Sequence, residues 1–128
     1  FSIGRSTEAV TLDAVKAVAN GRNGVSLDGR ALADGPNAVG TAVNAYGNNT
    51  VAGGTFEDNA RYGIEVIGGT SLAVSDNRVA GNDVGIVTAD GAKGVSITGN
   101  ILVDNARQAI AVRDGGATAE VTGNRISG

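Results

Sequence analysis

The chain has 128 residues with a formal net charge of −3; 21 residues are glycine and only 3% are aromatic, with no Trp or Met. A conventional globular core needs more large side chains, so this composition favours a narrow core of Val, Ile, Leu and Ala. The acidic balance argues against a general nucleic-acid binder, and the absence of Cys excludes disulfides and thiolate metal sites.

Two further features concern the context of the chain. No apolar run approaches the length that a membrane span requires, so we predict none. The chain opens at Phe1 with neither a start methionine nor a signal peptide, and we interpret it as a mature or excised piece of something longer.

The first predicted coil occupies the N-terminal end. Val10-Thr11-Leu12 leads to Asn20 and then to Gly24-Val25-Ser26-Leu27. Alternating apolar and polar residues predict short strands with one buried face. Asn20 and the next equivalent Asn59 are 39 residues apart, so we predict an inserted loop over about residues 28–48, where Gly and Pro indicate turns.

From residue 51 onwards one frame returns at a nearly constant period. Its copies begin at positions 51, 74, 97 and 121, in the segments Val51–Phe56, Val74–Val79, Ile97–Leu102 and Val121–Ile126. Three short strands and three turns in each repeat make one coil of a solenoid. We predict an all-β right-handed parallel β-helix of about five rungs of 22–24 residues, forming a single domain over residues 1–128 that is a fragment of a longer β-helix. A leucine-rich repeat would need denser Leu, and a β-sandwich would not keep a constant period.

Asparagine recurs at two places in the repeat. One column is Asn77, Asn100 and Asn124, with Gly54 in the first place, and the other is Asn20, Asn59, Asn82 and Asn105. Asn tolerates left-handed turns, and stacked amides can hydrogen-bond from rung to rung. We predict that both columns are structural corners.

An arginine follows the second Asn column. Asn20-Gly21-Arg22, Asn59-Ala60-Arg61 and Asn105-Ala106-Arg107 share an Asn-x-Arg pattern, whereas the intervening repeat reads Asn82-Asp83-Val84. Guanidinium groups in a file suit carboxylates spaced along a uronate polymer. The alternative is that Arg61 and Arg107 pair with Asp58, Asp83 or Asp104 and only solvate the surface.

Other residues carry weaker signals. Tyr62 and Tyr46 could stack on sugar rings, or they could cover an edge of the solenoid. Asp90-Gly91, Asp114-Gly115 and Asp28-Gly29 are interpreted as repeated turns rather than calcium ligands, and we predict no metal and no cofactor. Asn48-Asn49-Thr50 matches a glycosylation sequon, a short motif that recurs by chance.

The recurring Gly-Asn-x-Ile/Leu and Asp-Asn-x-x-x-Gly-Ile elements resemble those of parallel β-helix proteins of the mannuronan (alginate) C-5 epimerase and pectate-lyase-like superfamily. The resemblance implies polysaccharide processing or binding outside the cytoplasm. Tyr62-Gly63-Ile64-Glu65-Val66-Ile67 is similar to the epimerase Tyr-Gly-Phe/Ile-Asp-Pro-His motif, so Tyr62 would match the catalytic Tyr and Glu65 the Asp. Val66 and Ile67 replace Pro and His, which removes the expected base.

These observations favour a non-catalytic segment that binds an acidic, uronate-containing polysaccharide through Arg22, Arg61, Tyr62 and Arg107. The alternatives are a catalytic epimerase or lyase in the full-length protein, and a structural spacer or adhesin stalk. We expect an extracytoplasmic location, no nucleic-acid partner, and self-association if the solenoid ends are uncapped.

Overall fold

A computed structural model describes residues 1–5, 7–30, 46–113 and 118–128, in which fifteen strands form three parallel sheets of five strands each. Sheet A contains β1 (Ser2–Ile3), β4 (Val25–Asp28), β7 (Tyr62–Ile67), β10 (Val84–Ala89) and β13 (Gln108–Val112). Sheet B contains β2 (Thr11–Asp13), β5 (Thr50–Ala52), β8 (Ala73–Ser75), β11 (Val95–Thr98) and β14 (Ala119–Thr122). Sheet C contains β3 (Lys16–Val18), β6 (Thr55–Glu57), β9 (Arg78–Ala80), β12 (Ile101–Val103) and β15 (Arg125–Ser127).

The chain passes from sheet A to B to C and then returns to A one coil further along, so coil 1 contains β1–β3 and coil 5 contains β13–β15. The predicted parallel β-helix is therefore confirmed. None of the described residues form a helix long and apolar enough to cross a membrane.

Strand pairing reproduces the repeat seen in the sequence. Val51 pairs with Val74, and Val74 with Ile97, whereas Leu12 pairs with Val51 and Val25 with Ile64 across a step of 39 residues. The long step places the extra residues between β4 and β5. Residues 31–45 of the predicted loop lie outside the described part of the chain.

The core is a narrow column of the inward-facing residues of each strand. Sheet C contributes Phe56, Val79 and Leu102, each fully buried, and the other two sheets contribute mainly Val, Leu and Ile. Branched side chains suit this space because they pack directly on their equivalents one coil above and below. Thr88 is the exception. It lies between Val66 and Val112 in sheet A, is fully buried, and its hydroxyl has no hydrogen-bond partner among the described residues.

The corners contain left-handed residues, but these are not the asparagines of the two columns. Positive φ angles occur at the residue directly before each Asn, as at Asp58 (54°), Gly81 (65°) and Asp104 (50°). The expectation that Asn itself adopts the left-handed conformation was wrong. The preceding residue makes the turn, and this directs the Asn side chain along the solenoid axis.

The asparagine amides form hydrogen-bonded ladders. Asn59 Nδ2 donates to Asn82 Oδ1 at 2.9 Å, and Asn82 Nδ2 donates to Asn105 Oδ1 at 3.1 Å. A second ladder joins Asn77, Asn100 and Asn124, and its first donor is the backbone N–H of Gly54. The first ladder also explains an adjacent glycine, because a Cβ at Gly63 would lie 2.9 Å from Asn82 Nδ2 and 2.7 Å from a backbone oxygen.

Candidate functional site

The outer face of sheet A carries the residues that the sequence singled out. In β7, one of its two longest strands, Ile64 and Val66 enter the core and Glu65 between them faces outward. Tyr62 at the start of the strand departs from this alternation, because its side chain packs in a separate cluster with Val87 and Ala111. Register places Tyr62 beside Val84, and Glu65 beside both Ser26 and Val87.

The arginine file is in register, with one correction. Backbone hydrogen bonds join Arg61 N to Arg22 O and Arg107 N to Asp83 O, so the equivalent residue of coil 4 is Asp83 and not Val84. Coil 4 has one residue fewer between Asn82 and its strand than coil 3 has after Asn59. The file therefore reads Arg22, Arg61, Asp83, Arg107, with an acid among the bases.

Asp83 pairs with one of these arginines. Arg107 Nε donates to Asp83 Oδ1 at 2.8 Å, and Arg107 Nη2 donates to Asp83 Oδ2. These hydrogen bonds lower the pKa of Asp83 and raise the pKa of Arg107. Arg107 thus forms an ion pair with Asp83, one of the partners that the alternative interpretation names.

Tyr62 lies between two guanidinium groups. Arg61 Nη2 donates to Tyr62 Oη at 3.2 Å, and Arg113 Nη1 donates to the same oxygen at 3.1 Å. The Arg61 and Arg113 Cζ atoms lie 4.8 and 5.6 Å from the ring centroid, within cation–π range. Sequence reasoning missed Arg113, although the Ile110-Ala111-Val112 alternation that it used places residue 113 on the outer side.

The Tyr62 ring is not an exposed platform for a sugar. It is only 6% exposed and packs with Val84, Val87 and Ala111 in a small apolar cluster on the outer face of sheet A. Of the two interpretations of Tyr62, the structure therefore favours packing for the ring, while the hydroxyl remains a polar centre. Tyr46 is likewise buried, at 8% exposure.

Glu65 belongs to a polar network that links coil 3 to the preceding coil 2. Its Oε1 accepts hydrogen bonds from Asn23 Nδ2 at 3.0 Å and Ser26 Oγ at 3.1 Å. Asn23 Nδ2 also donates to Ser26 Oγ, and Asn23 Oδ1 accepts from the backbone N–H of Tyr62. The network therefore connects the two residues that match the epimerase motif, but through Asn23.

Asp28 is held by arginines at the edge of this face. Arg30 Nε and Nη2 donate to its two oxygens at 2.9 and 2.8 Å, and Arg5 Nε lies 3.4 Å from Oδ2. Burial raises the pKa of Asp28, but the hydrogen bonds and charge of Arg30, with the charge of Arg5, outweigh burial and leave the pKa lowered. Arg30 also reaches Asp90 at 3.3 Å.

The Asp28-Gly29 and Asp90-Gly91 turns are not equivalent. Asp28 and Ala89 both pair with Ile67, from the coils on either side of it. Asp28 is therefore in register with Ala89 and not with Asp90. Asp114-Gly115 lies outside the described residues. Within the described ranges no group of three potential metal ligands occurs.

Charge is unevenly distributed around the solenoid. Six of the ten Lys and Arg residues lie on or beside the outer face of sheet A, accompanied by four described acidic residues, although the whole chain is acidic. The bases are Arg5, Arg22, Arg30, Arg61, Arg107 and Arg113, and the acids are Asp28, Glu65, Asp83 and Asp90.

The coil geometry and the repeat are matched by a known family. The family model for the right handed beta helix region matches residues 4–128. The chain belongs to this right-handed β-helix family. Comparison with curated proteins and with solved structures found no match. Family membership accounts for the fold and fits either a polysaccharide-related or a structural β-helix, so activity has to be argued from side chains.

Proposed function

We propose that the chain binds an acidic, uronate-containing polysaccharide along the outer face of sheet A. The observation that carries the proposal is the convergence of Arg61 and Arg113 on the single oxygen of Tyr62. Neither guanidinium forms an ion pair with a carboxylate among the described residues. Two like charges held close together repel each other, and a bound anion would offset that repulsion.

The chemistry of the pair suits a carboxylate. A guanidinium offers parallel N–H donors to the two oxygens of a carboxylate, and charge-assisted hydrogen bonds are the stronger kind. Tyr62 fixes both guanidinium groups before a ligand arrives, which lowers the entropy lost on binding. Arg22 lies one coil from Arg61, about 4.8 Å along the axis, so it would meet a polymer that crosses the strands.

The spread of basic residues over four of the five coils favours a polymer over a single sugar as the ligand. Arg5 and Arg22 lie in or near coils 1 and 2, and Arg107 and Arg113 flank the strand of coil 5. Polymers of this kind occur outside the cytoplasm, and we propose the same location for the chain.

A catalytic role of the epimerase or lyase type is the second candidate. Two observations favour it: a Tyr hydroxyl between two guanidinium groups, and Glu65 on the same outer face of β7. Abstraction of the proton next to a uronate carboxylate needs both a base and neutralisation of that carboxylate. The arginines could neutralise the uronate carboxylate, but the chain has no histidine that could act as the base. Val66, which replaces the Pro of the epimerase motif, enters the core. Binding therefore remains the better proposal for this chain.

The test is a calorimetric titration with alginate, pectate and a neutral glucan. We expect the acidic polymers to bind and an Arg61→Gln/Arg113→Gln double variant to lose about tenfold or more in affinity, because each charged hydrogen bond contributes about 1.5–3 kcal/mol. The matched control is Lys16→Gln/Arg125→Gln, which removes the same charge from exposed positions on sheet C.

An equal loss in both double variants would reduce the proposal to general charge attraction. No binding to any of the three polymers would favour the structural spacer or adhesin stalk. Unsaturated or epimerised uronate among the products would favour the catalytic candidate.

A further inference from the structure

The Tyr62 hydroxyl has one hydrogen-bonding position that the described residues leave unused. Its oxygen accepts N–H bonds from Arg61 and Arg113, at 3.2 and 3.1 Å, which occupies both acceptor positions. Its hydrogen has no acceptor in the described part of the chain. We propose that Tyr62 donates this hydrogen to a bound carboxylate, which makes the Arg61–Tyr62–Arg113 group a donor-only site that selects the ionised acid over its methyl ester. This inference rests on the proposed function and names what the same site selects.

Burial gives the unused hydrogen its weight. Tyr62 is only 6% exposed, because its ring packs with Val84, Val87 and Ala111. Both guanidinium groups also lie within cation–π range of that ring, so they hold it from the solvent side. A buried O–H group without an acceptor costs free energy. A ligand oxygen at this point would remove that cost, and the two adjacent positive charges favour a ligand oxygen that is negative.

The other side chains of the site also offer donors only. A guanidinium carries N–H groups and no acceptor, so neither arginine can receive a hydrogen from a ligand. Gln108 Oε1 is an acceptor on the same face, but it accepts from Arg113 Nη2 at 3.4 Å. Both oxygens of Asp83, the acid of the arginine file, accept from Arg107. The Arg61–Tyr62–Arg113 group therefore presents hydrogen-bond donors from all three of its side chains.

A donor-only site selects its ligand by ionisation. An ionised carboxylate is an acceptor at both oxygens, and its charge strengthens each hydrogen bond that it accepts. A protonated acid brings an O–H group that would face three donors. A methyl ester has no charge, and its methyl group blocks one of the two oxygens. The site would therefore separate free uronate units from methyl-esterified ones along the same polymer.

The first test follows the near-ultraviolet absorption of tyrosine, because the chain has two Tyr and no Trp. A phenol that donates a hydrogen bond absorbs at longer wavelength. We expect acetate, at constant ionic strength, to cause this shift in the native chain and in Tyr46→Phe but not in Tyr62→Phe. Methyl acetate should cause no shift. Tyr46→Phe is the matched control, because it removes the same hydroxyl from the other buried tyrosine. No shift with acetate, or a shift that persists in Tyr62→Phe, would overturn the inference.

The second test is calorimetry with pectate and its fully methyl-esterified form. We expect Tyr62→Phe to bind pectate about tenfold more weakly than the native chain, in line with the loss of one charge-assisted hydrogen bond. The salt dependence of that binding should stay the same, because both arginines remain. The native chain should bind the ester at least about tenfold more weakly than pectate, and Tyr46→Phe should match the native chain. Circular dichroism of each variant checks that the fold is intact.

The two tests separate the donor-only site from the proposed function. An acetate-induced shift of Tyr62 without any pectate affinity would overturn the proposed function and support the donor-only site. Loss of pectate affinity in Arg61→Gln/Arg113→Gln, with native affinity in Tyr62→Phe, would support the proposed function and overturn the donor-only site. Equal affinity of the native chain for pectate and its methyl ester would also overturn the donor-only site.

Discussion

Asp83 and Arg107 form a two-point ion pair between adjacent coils of the solenoid. The pair lies in the file that runs from Arg22 through Arg61, and it neutralises the last cation of that file. Arg107 is exposed and Asp83 is only half-buried, so the pair contributes little to stability. Its main effect is on the charge that the outer face of sheet A offers to a ligand.

Replacing Asp83 by Asn should therefore strengthen polyanion binding. The substitution removes one negative charge and releases Arg107, so we expect pectate affinity to rise about threefold at low ionic strength and the gain to shrink as salt screens the charges. Glu57→Gln is the matched control, because it releases Arg78 in the same way on sheet C. Calorimetry at two salt concentrations measures both variants. An equal gain in the control would show that only net charge matters.

The Asn ladder predicts a position-dependent loss of stability. Asn82 is 1% exposed, and its amide bonds to Asn59, Asn105 and the Phe56 carbonyl. Asn82→Ala leaves several buried polar groups without partners, so we expect about 4 kcal/mol less unfolding free energy. Asn20→Ala, at the exposed end of the same ladder, should lose about 1 kcal/mol. Urea denaturation compares them, and equal losses would contradict a cooperative ladder.

Thr88→Val should stabilise the protein. The substitution keeps the side-chain shape and removes a fully buried hydroxyl that has no partner in the described residues. We expect a gain of about 1 kcal/mol, seen as a higher melting temperature. Thr98→Val on the half-exposed outer face of sheet B is the control and should change little. A lower melting temperature for Thr88→Val would mean that the hydroxyl has a partner after all.

Asp28 should make the stability of the fold depend on pH in the acidic range. Its folded-state pKa lies below the ordinary value of 3.8, so its pairing with Arg30 stabilises the fold above that pH and is lost as the pH falls further. We expect the melting temperature of the native chain to drop on acidification, and Asp28→Asn to flatten part of that drop. Asp76→Asn, at an exposed corner, is the control. Superimposable acid profiles for all three proteins would rule out this linkage.

The fold was predictable because its determinants are local and repeated. Each Asn of a ladder occupies the same place in its coil, and apolar alternation such as Ile64-Glu65-Val66 shows which residues face inward. The pattern stays readable across the inserted loop, because Val25 still pairs with its equivalent Ile64 on the other side of the loop. A parallel solenoid needs nothing beyond neighbouring coils to bury its core.

The candidate site was only partly predictable, because it depends on register at the corners and on side-chain reach. One residue fewer after Asn82 moves Asp83 into the file, and spacing counted from Asn alone misses that shift. Arg113 reaches Tyr62 across two coils, over a distance of 51 residues in sequence. The burial of Tyr62 depends on Val84 and Val87 of the next coil, and no pattern around Tyr62 indicates it.

The ladder from Asn59 to Asn105 also has a direction. Each amide carbonyl faces the preceding coil and accepts from it, and each Nδ2 group donates to the following coil. Aligned amide dipoles reinforce one another, as they do along a helix. The corner between sheets C and A therefore carries a partial positive charge towards coil 5, where Asn105 adjoins Arg107. This Asn column would thus add to the attraction for the proposed polyanion at that end of sheet A.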